Sequence, residues 1–152
     1  MPLFELRKNQ TEFQPVKILS SDAAYNLIKN FYSDDIEILE SCFILLLNNA
    51  SKAIGYAKIS QGGITGTVVD VRIVAKYAVD SLATSVILAH NHPSGKLNPS
   101  QADISITEKV KNALALLDIK LIEHLILTVD GFYSFADEGH LGNVSCLGYR
   151  KR

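Results

Sequence analysis

Residues 88–103 read LAHNHPSGKLNPSQAD and hold several side chains that can bind a metal ion or move protons. His90 and His92 are separated by one residue, so on an extended chain both imidazoles point to the same side and can bind one cation. Local hydrogen bonds at the mouth of a loop would explain the same two histidines equally well. The histidines alone therefore raise the question of a metal site without answering it.

Ser100 and Asp103 follow at the start of a predicted helix. Ser-x-x-Asp is typical of a capping box, and helix capping explains both residues without a metal. The two interpretations are compatible, because a capped helix start fixes the position of the Asp103 carboxylate. Two histidines and one aspartate would leave a zinc ion one open coordination position, which is typical of a catalytic site. Water bound there becomes acidic enough to attack at neutral pH.

A hydrolytic site also needs a group that moves protons, and Glu40 is the candidate. A carboxylate that is not a metal ligand can take the proton from the water and hand it to the leaving group. Glu40 comes just before the apolar run SCFILLL at 41–47, which we expect to lie beside the strand at 86–89. Position alone favours the interpretation that Glu37 and Glu40 are charges flanking a strand.

The composition indicates the class of protein in which these residues lie. The chain has 152 residues, 47% of them hydrophobic, and a formal net charge of -1. The length suits one domain with its own core, and the charge gives no general attraction to nucleic acid or to an anionic membrane. Cys42 and Cys146 form no Cys-x-x-Cys pair, and Cys42 is expected in the core. With no signal-peptide pattern and no apolar run near the ~20 residues that span a bilayer, we expect a cytoplasmic protein without a membrane partner.

Hydrophobic periodicity and turn signals predict the elements that position these residues. The strand at 86–89 is predicted to end at the two histidines. The order mixes hairpins with strand–helix alternation, which indicates an α/β fold with a mixed sheet and helices on its faces. Sites in such folds gather at the carboxyl ends of strands. The helices are predicted at 20–32, 73–84 and 100–117, and the other strands at 3–7, 41–47, 53–60, 121–129 and 132–135, the last two joined by a turn at Asp130-Gly131.

Other polar positions receive structural interpretations. His124 alternates with apolar neighbours in the strand at 121–129, so it is expected to be structural or to donate a hydrogen bond to a metal ligand. His140 lies in a Gly-flanked loop, too far along the chain to pair with the site. Asp70 and Arg72 favour a local ion pair over a place at the mouth of the site.

The site residues match a known motif in type, order and spacing. Glu40, His90-x-His92-Pro93 and Ser100-x-x-Asp103 resemble the motif of the JAMM (MPN+) metalloproteases. The surrounding text resembles the RadC-like branch from about residue 20 to about residue 140. The segments that carry this likeness are ESCFILLLNNASKAIG, ISQGGITGTVVDVRIV, ILAHNHPSGKLNPSQADISIT, LLDIKLIEHLIL and GFYSFADEG.

The resemblance implies a role for each residue of the motif. His90, His92 and Asp103 would bind Zn²⁺. Glu40 would act as the general acid/base, and the Ser100 hydroxyl would help to stabilise the tetrahedral intermediate. The implied function is a zinc-dependent hydrolase that cleaves a peptide or isopeptide bond by attack of a zinc-activated water.

The resemblance also implies the architecture. It implies a three-layer α/β/α sandwich with a mixed sheet, of the JAMM and cytidine-deaminase-like kind. Residues 20–140 would form the RadC-like domain, 1–19 an N-terminal extension with an edge strand, and 141–152 a C-terminal tail. We expect a peptide or protein substrate. A homodimer through an exposed sheet edge is compatible with the sequence but is not required by it.

Two other functions stay open at this point. One is a DNA-repair-associated binding module with a structural or inactive metal site, and the other is a metal-dependent nuclease. Longer RadC proteins carry an N-terminal helix-hairpin-helix domain of DNA-binding type, and the first 20 residues are too short to hold one. Nucleic-acid binding is thus suggested by the family but not supported by the charge. Nuclease sites often gather more carboxylates and a second metal, and no further Asp/Glu/His cluster appears near 88–103.

Overall fold

Two apolar strands, β2 (Ser41–Leu47) and β4 (Ser85–Asn91), form the centre of the sheet in the computed structural model, which describes residues 15–62 and 68–142. Every residue of both strands is buried. The strands pair antiparallel, with Cys42 opposite His90. The predicted neighbourhood of these two strands is therefore confirmed, and Cys42 lies in the core as expected.

Within residues 15–62 and 68–142 the sheet has six strands, in the order β1-β3-β2-β4-β5-β6. Strands β4 and β5 pair parallel, and the other neighbours pair antiparallel. A parallel pair needs a crossover connection, and helix α3 supplies it between β4 and β5. The remaining elements are β1 (Val16–Lys17), α1 (Ser21–Ile28), β3 (Lys52–Gln61), α2 (Val71–Asp80), α3 (Gln101–Ala115), β5 (Lys120–Leu127) and β6 (Phe132–Ser134), with short 3₁₀ turns at Lys29–Phe31 and Asp34–Glu37.

Helices cover both faces of this sheet. Helix α3 lies on the face that carries His90, where its Thr107 hydroxyl contacts His124 of β5. Helix α2 packs beside α3. Helix α1 lies on the other face, where Tyr25 stacks on Phe132 with ring centroids 4.5 Å apart. The predicted α/β class, with a mixed sheet between layers of helix, is confirmed.

The helix bounds differ from the predicted ones where local capping decides them. Helix α1 starts after its N-cap Ser20 as predicted, but it gives way to a 3₁₀ turn after Ile28. Helix α2 starts earlier than the predicted 73, because Asp70 caps it by accepting a hydrogen bond from the Arg72 N–H. It also ends earlier, because Leu82 takes a left-handed backbone conformation with φ 59.

Several expectations fall outside the described residues. The strand predicted at 3–7 and Cys146 both lie there, so they stay predictions, as do the domain boundaries.

The turn at Asp130-Gly131 is confirmed by a 2.9 Å hydrogen bond from the Thr128 N–H to the Gly131 carbonyl. Within 15–62 and 68–142, no helix combines the length and apolar character that crossing a membrane requires.

Candidate metal centre

Glu40, His90, His92 and Asp103 meet at the carboxyl end of β4, and one ligand atom from each lies within 4.8 Å of the others. Nε2 of His90 lies 3.1 Å from Nε2 of His92 and 3.2 Å from Oδ1 of Asp103. Nε2 of His92 lies 3.1 Å from Oδ2 of Asp103. Four of the five residues singled out in the sequence thus form one cluster, and their roles in it stay predictions.

The sheet explains why Glu40 reaches the histidines. Strand β2 runs antiparallel to β4 with Cys42 opposite His90, so the start of β2 lies beside the end of β4. Glu40 immediately precedes β2, and its Oε1 lies 3.8 Å from Nε2 of His90. Its side chain is 17% exposed. The carboxylate is therefore close to the histidines and still reachable from solvent.

Asp103 serves both the helix cap and the cluster. The Ser100 hydroxyl accepts a hydrogen bond of 3.0 Å from the Asp103 N–H, and Oδ2 of Asp103 accepts one of 2.8 Å from the Ser100 N–H. The capping box is therefore real, and it aims the Asp103 carboxylate at both histidines. The Ser100 side-chain oxygen acts as an acceptor in the cap, which leaves the hydroxyl proton for another partner.

The environment of His92 leaves one ring nitrogen for a metal. Nδ1 lies 2.7 Å from the backbone carbonyl oxygen of Lys96. A carbonyl only accepts, so Nδ1 carries the proton, and Nε2 of the neutral ring has its lone pair directed at the cluster. The hydrogen bond to Asp103 raises the pKa of His92, and burial opposes that rise.

The two carboxylates have opposite pKa shifts. Burial acts to raise the pKa of Asp103, but the adjacent imidazoles of His90 and His92, which donate to it when Nε2 is protonated, hold that pKa well below its usual range. Burial raises the pKa of Glu40, although the nearby histidines act to lower it. Asp103 is therefore a permanently charged ligand candidate. Glu40 is the better proton acceptor, because its pKa is moved toward neutral pH.

The donor set fits a divalent transition-metal ion. Two imidazole nitrogens and a carboxylate are ligands of the type that such ions take, and this number leaves a position for water or substrate. Cys42 lies under the same site, where burial raises the pKa of its thiol to about 12. The sulfur of Cys42 is not one of the clustered ligand atoms, which are nitrogen and oxygen only.

Asn91, between the two histidines, is a site residue that the sequence analysis missed. Its side chain is fully buried and lies on the sheet face opposite His90. Its Nδ2 donates to the carbonyls of Ile36 and Leu39 at 2.6 and 2.8 Å, and its Oδ1 accepts from the Ser41 N–H at 2.7 Å. These groups lie on both sides of Glu40. A polar amide at the buried end of β4, between the two histidines, was the available signal.

A cavity of about 330 Å³ opens beside the cluster. Glu40, His90 and Asp103 line one part of it, and Lys109 lies at its border. Its other lining is mainly apolar, so it suits the side chain or backbone of a substrate better than a second cation. The other described lining residues are Cys42, Val68, Val69, Leu88, Ala102, Ile106 and His124.

Two further predictions concern residues away from the cluster. Asp70 and Arg72 form the expected local ion pair at 2.9 Å, on the surface. His140 is not one of the clustered residues, and its Nε2 lies 2.8 Å from the Tyr133 hydroxyl. Both confirm the structural interpretations.

The fold and cluster define a JAB-type domain with a candidate metal site. A family model of the RadC-like JAB domain matches residues 18–140, and the chain belongs to this family. The resemblance seen in the motif residues is thereby confirmed.

Relatives with curated names support the same assignment. A UPF0758 protein of Flavobacterium johnsoniae is 49% identical over 123 residues, which cover 81% of this chain and 53% of that protein. A UPF0758 protein of Porphyromonas gingivalis is 45% identical over 82% of this chain and 54% of its own length. UPF0758 protein YfjY of Escherichia coli is 44% identical over 67% of this chain and 64% of its own. The chain thus spans about half the length of the first two relatives.

Proposed function

We propose that this protein is a zinc-dependent hydrolase that cleaves a peptide or isopeptide bond in the cytoplasm. The observation that carries the proposal is the convergence of His90, His92 and Asp103 with a separate carboxylate, Glu40, beside an open cavity. Three ligands with an open position, plus a nearby acid/base group, are what metal-assisted hydrolysis needs. Membership of the JAB family, which includes hydrolases, supports the same reaction class.

Each residue has a defined task in this proposal. Nε2 of His90, Nε2 of His92 and the Asp103 carboxylate hold the zinc ion. When bound, zinc acidifies a water molecule and polarises the carbonyl of the scissile bond. Glu40 accepts the proton from the attacking water and delivers it to the leaving amine, because its raised pKa lets it do both.

Ser100 is proposed to act on the carbonyl oxygen. Its hydroxyl oxygen accepts the capping bond from the Asp103 N–H, and its proton can still be donated to the negative charge that develops in the transition state. The mainly apolar cavity would hold the substrate chain next to these groups. The proposed substrate is therefore a peptide or protein segment.

The first experiment measures metal content in the purified chain by elemental mass spectrometry. We expect about one zinc ion per chain, lost in His90→Ala. His140→Ala is the matched control, because it removes a histidine that is outside the cluster, and it should keep the metal. No zinc in the parent protein, even after zinc is offered, would reject the metal site.

The second experiment measures cleavage of a peptide mixture and of a lysine-linked isopeptide by mass spectrometry. Glu40→Gln should keep the zinc and lose about 10²–10⁴-fold in turnover, since it removes the acid/base group. Unchanged turnover in this variant would reject the role of Glu40. Bound zinc with no cleavage of either substrate would reject the hydrolase and favour a binding module.

A further inference from the structure

A chain of short contacts runs from the backbone of one candidate ligand to the side chain of another. Thr107 Oγ1 lies 2.7 Å from the backbone carbonyl oxygen of Asp103 and 2.6 Å from Nδ1 of His124. Nε2 of His124 lies 2.7 Å from Nδ1 of His90. Thr107 and His124 are 2% and 1% exposed, so bulk water does not compete for these contacts.

The direction of each hydrogen bond follows from the chemistry of the groups. The Asp103 carbonyl can only accept, so the Thr107 hydroxyl donates its single proton to it. That hydroxyl must then accept from His124, which places a proton on Nδ1 of His124.

The same reasoning extends from His124 to His90. With the proton of its neutral ring on Nδ1, His124 has a bare Nε2, which accepts the hydrogen bond from Nδ1–H of His90. A neutral His90 with its proton on Nδ1 has a bare Nε2. This Nε2 is the atom that faces His92 and Asp103.

We propose that Thr107 and His124 are positioning residues that fix His90 in the Nδ1–H tautomer, so that its Nε2 lone pair is ready for a metal ion. This row of hydrogen bonds starts at the backbone of Asp103 and ends at His90, so one network contacts both residues. In this proposal His124 accepts from His90 and donates to Thr107, so it would support the ligand as a hydrogen-bond acceptor. The usual partner of a ligating histidine is a carboxylate, a carbonyl or water. In this proposal the partner of His90 is the neutral imidazole of His124.

Packing holds His124, the middle residue of this hydrogen-bonded network, in place. The His124 ring is stacked on the fully buried Phe135 ring, with centroids 4.5 Å apart and planes 11° apart. Strand β5 fixes the backbone of His124 against β4, where it lies opposite Leu88. The imidazole therefore has little freedom to turn away from His90, and the direction of the hydrogen bonds is decided at Thr107.

The test replaces Thr107 with Val, which has nearly the same shape but no hydroxyl, and with Ser, which restores the hydroxyl. Zinc affinity is measured by competition with a chelator, and histidine tautomers are measured by ¹⁵N NMR on the metal-free 152-residue chain. Thr128→Val is the matched control, because Thr128 is also a buried threonine but bonds to the turn at Gly131.

The parent protein should show His90 and His124 as Nδ1–H tautomers. Thr107→Val should raise the zinc Kd by about 10–100-fold and change the His90 tautomer signal. Thr107→Ser and Thr128→Val should both resemble the parent. An Nε2–H signal for His90 in the parent, or an unchanged Kd and tautomer in Thr107→Val, would overturn the proposal.

Two features keep the test decisive. If Thr107→Val does not fold, the tautomers of the parent protein still decide the proposal. Neither readout uses catalysis, so a chain that binds zinc and cleaves no peptide would refute the proposed function and leave this inference standing.

Discussion

The side-chain oxygen of Asn91 lies 2.7 Å from the backbone nitrogen of Ser41, and this bond ties the strand of the histidines to the residue that follows Glu40. The Asn91 amide nitrogen holds the carbonyl of Leu39, the residue before Glu40, at 2.8 Å. Asn91 therefore clamps the backbone on both sides of Glu40. Its neighbours His90 and His92 contribute to the metal cluster on the other side of the sheet.

Asn91→Ala tests this clamp. The variant leaves the buried Ser41 N–H and Leu39 carbonyl without their partner, so the free energy of unfolding should fall by about 1–3 kcal/mol. Zinc content should be kept, because no ligand is changed, while turnover falls because Glu40 is released. Urea unfolding, elemental analysis and peptide cleavage measure the three effects.

Asn48→Ala is the matched control for the clamp. Asn48 also accepts backbone hydrogen bonds, from Ala50 and Lys52, but it lies at the far end of β2. The Asn48→Ala variant should have a lower free energy of unfolding but the same turnover when folded. Equal turnover in the two variants would show that Asn91 stabilises the fold and does nothing specific for Glu40.

Asp103→Asn and Ser100→Ala separate capping from metal binding. Asn can still accept the bond from the Ser100 N–H, so Asp103→Asn should keep helix α3 and lose the zinc. Ser100→Ala removes the N-cap acceptor and should cost about 0.5–2 kcal/mol of stability while zinc stays bound. Zinc titration and urea unfolding of both variants give the answer. Parent-like zinc affinity in Asp103→Asn would make this residue a cap and nothing more.

Zinc binding should weaken as the pH falls through the raised pKa of His92. Below that pKa the metal-free His92 carries a proton on both nitrogens, and Nε2 must lose its proton before it binds zinc. One displaced proton raises the zinc Kd about tenfold for each pH unit lowered. Above the raised pKa, His92 should contribute no pH dependence. Chelator competition between pH 5 and pH 8 measures the slope, expected at about one proton.

The folding stability of the metal-free protein should instead decrease as the pH rises over the same range. The folded-state pKa of His92 is raised above its ordinary value of 6.5, so its contribution to stability is complete below 6.5 and is lost as the pH rises through the folded pKa. Asp103→Asn removes the main cause of that rise and should flatten this part of the curve. Thermal unfolding in the presence of a chelator tests both curves.

Leu82→Gly should stabilise the protein. Leu82 follows helix α2 with φ 59 and is 77% exposed, so its side chain contributes little packing. A left-handed conformation costs a non-glycine residue about 1–2 kcal/mol, and glycine avoids most of that cost. Leu116 is 87% exposed at the end of α3 but has a helical φ of -64. Leu116→Gly should therefore destabilise, and urea unfolding that ranks the two variants in the other order would contradict the argument.

The central strands and the cluster were predictable because short-range patterns specify them. The run at 41–47 is apolar enough to be buried on both faces, and Ser100 with Asp103 marks the start of α3. The motif spacing then indicated which polar residues meet. Glu40 was the exception, since only the resemblance to a family distinguished it from a charge flanking a strand.

The supporting contacts were not predictable, because they depend on strand register and on partners far away in sequence. His124 reaches His90 only because β5 pairs parallel with β4 in one register. Asn91 reaches Leu39 and Ser41 across the start of β2. Neither distance can be read from a sequence pattern, so the sequence analysis missed Asn91 and left His124 with two alternative roles.

The parallel pairing of β4 and β5 has a consequence for the order of events during protein synthesis. A nascent chain that has emerged through α3 already carries Glu40, His90, His92 and Asp103. It lacks β5, and with it the imidazole that sets the proton on His90. A preformed site rarely exists before folding, and here it is complete only when one of the later strands has docked. Metal capture is therefore expected to come after β5 has docked beside β4, as a maturation step.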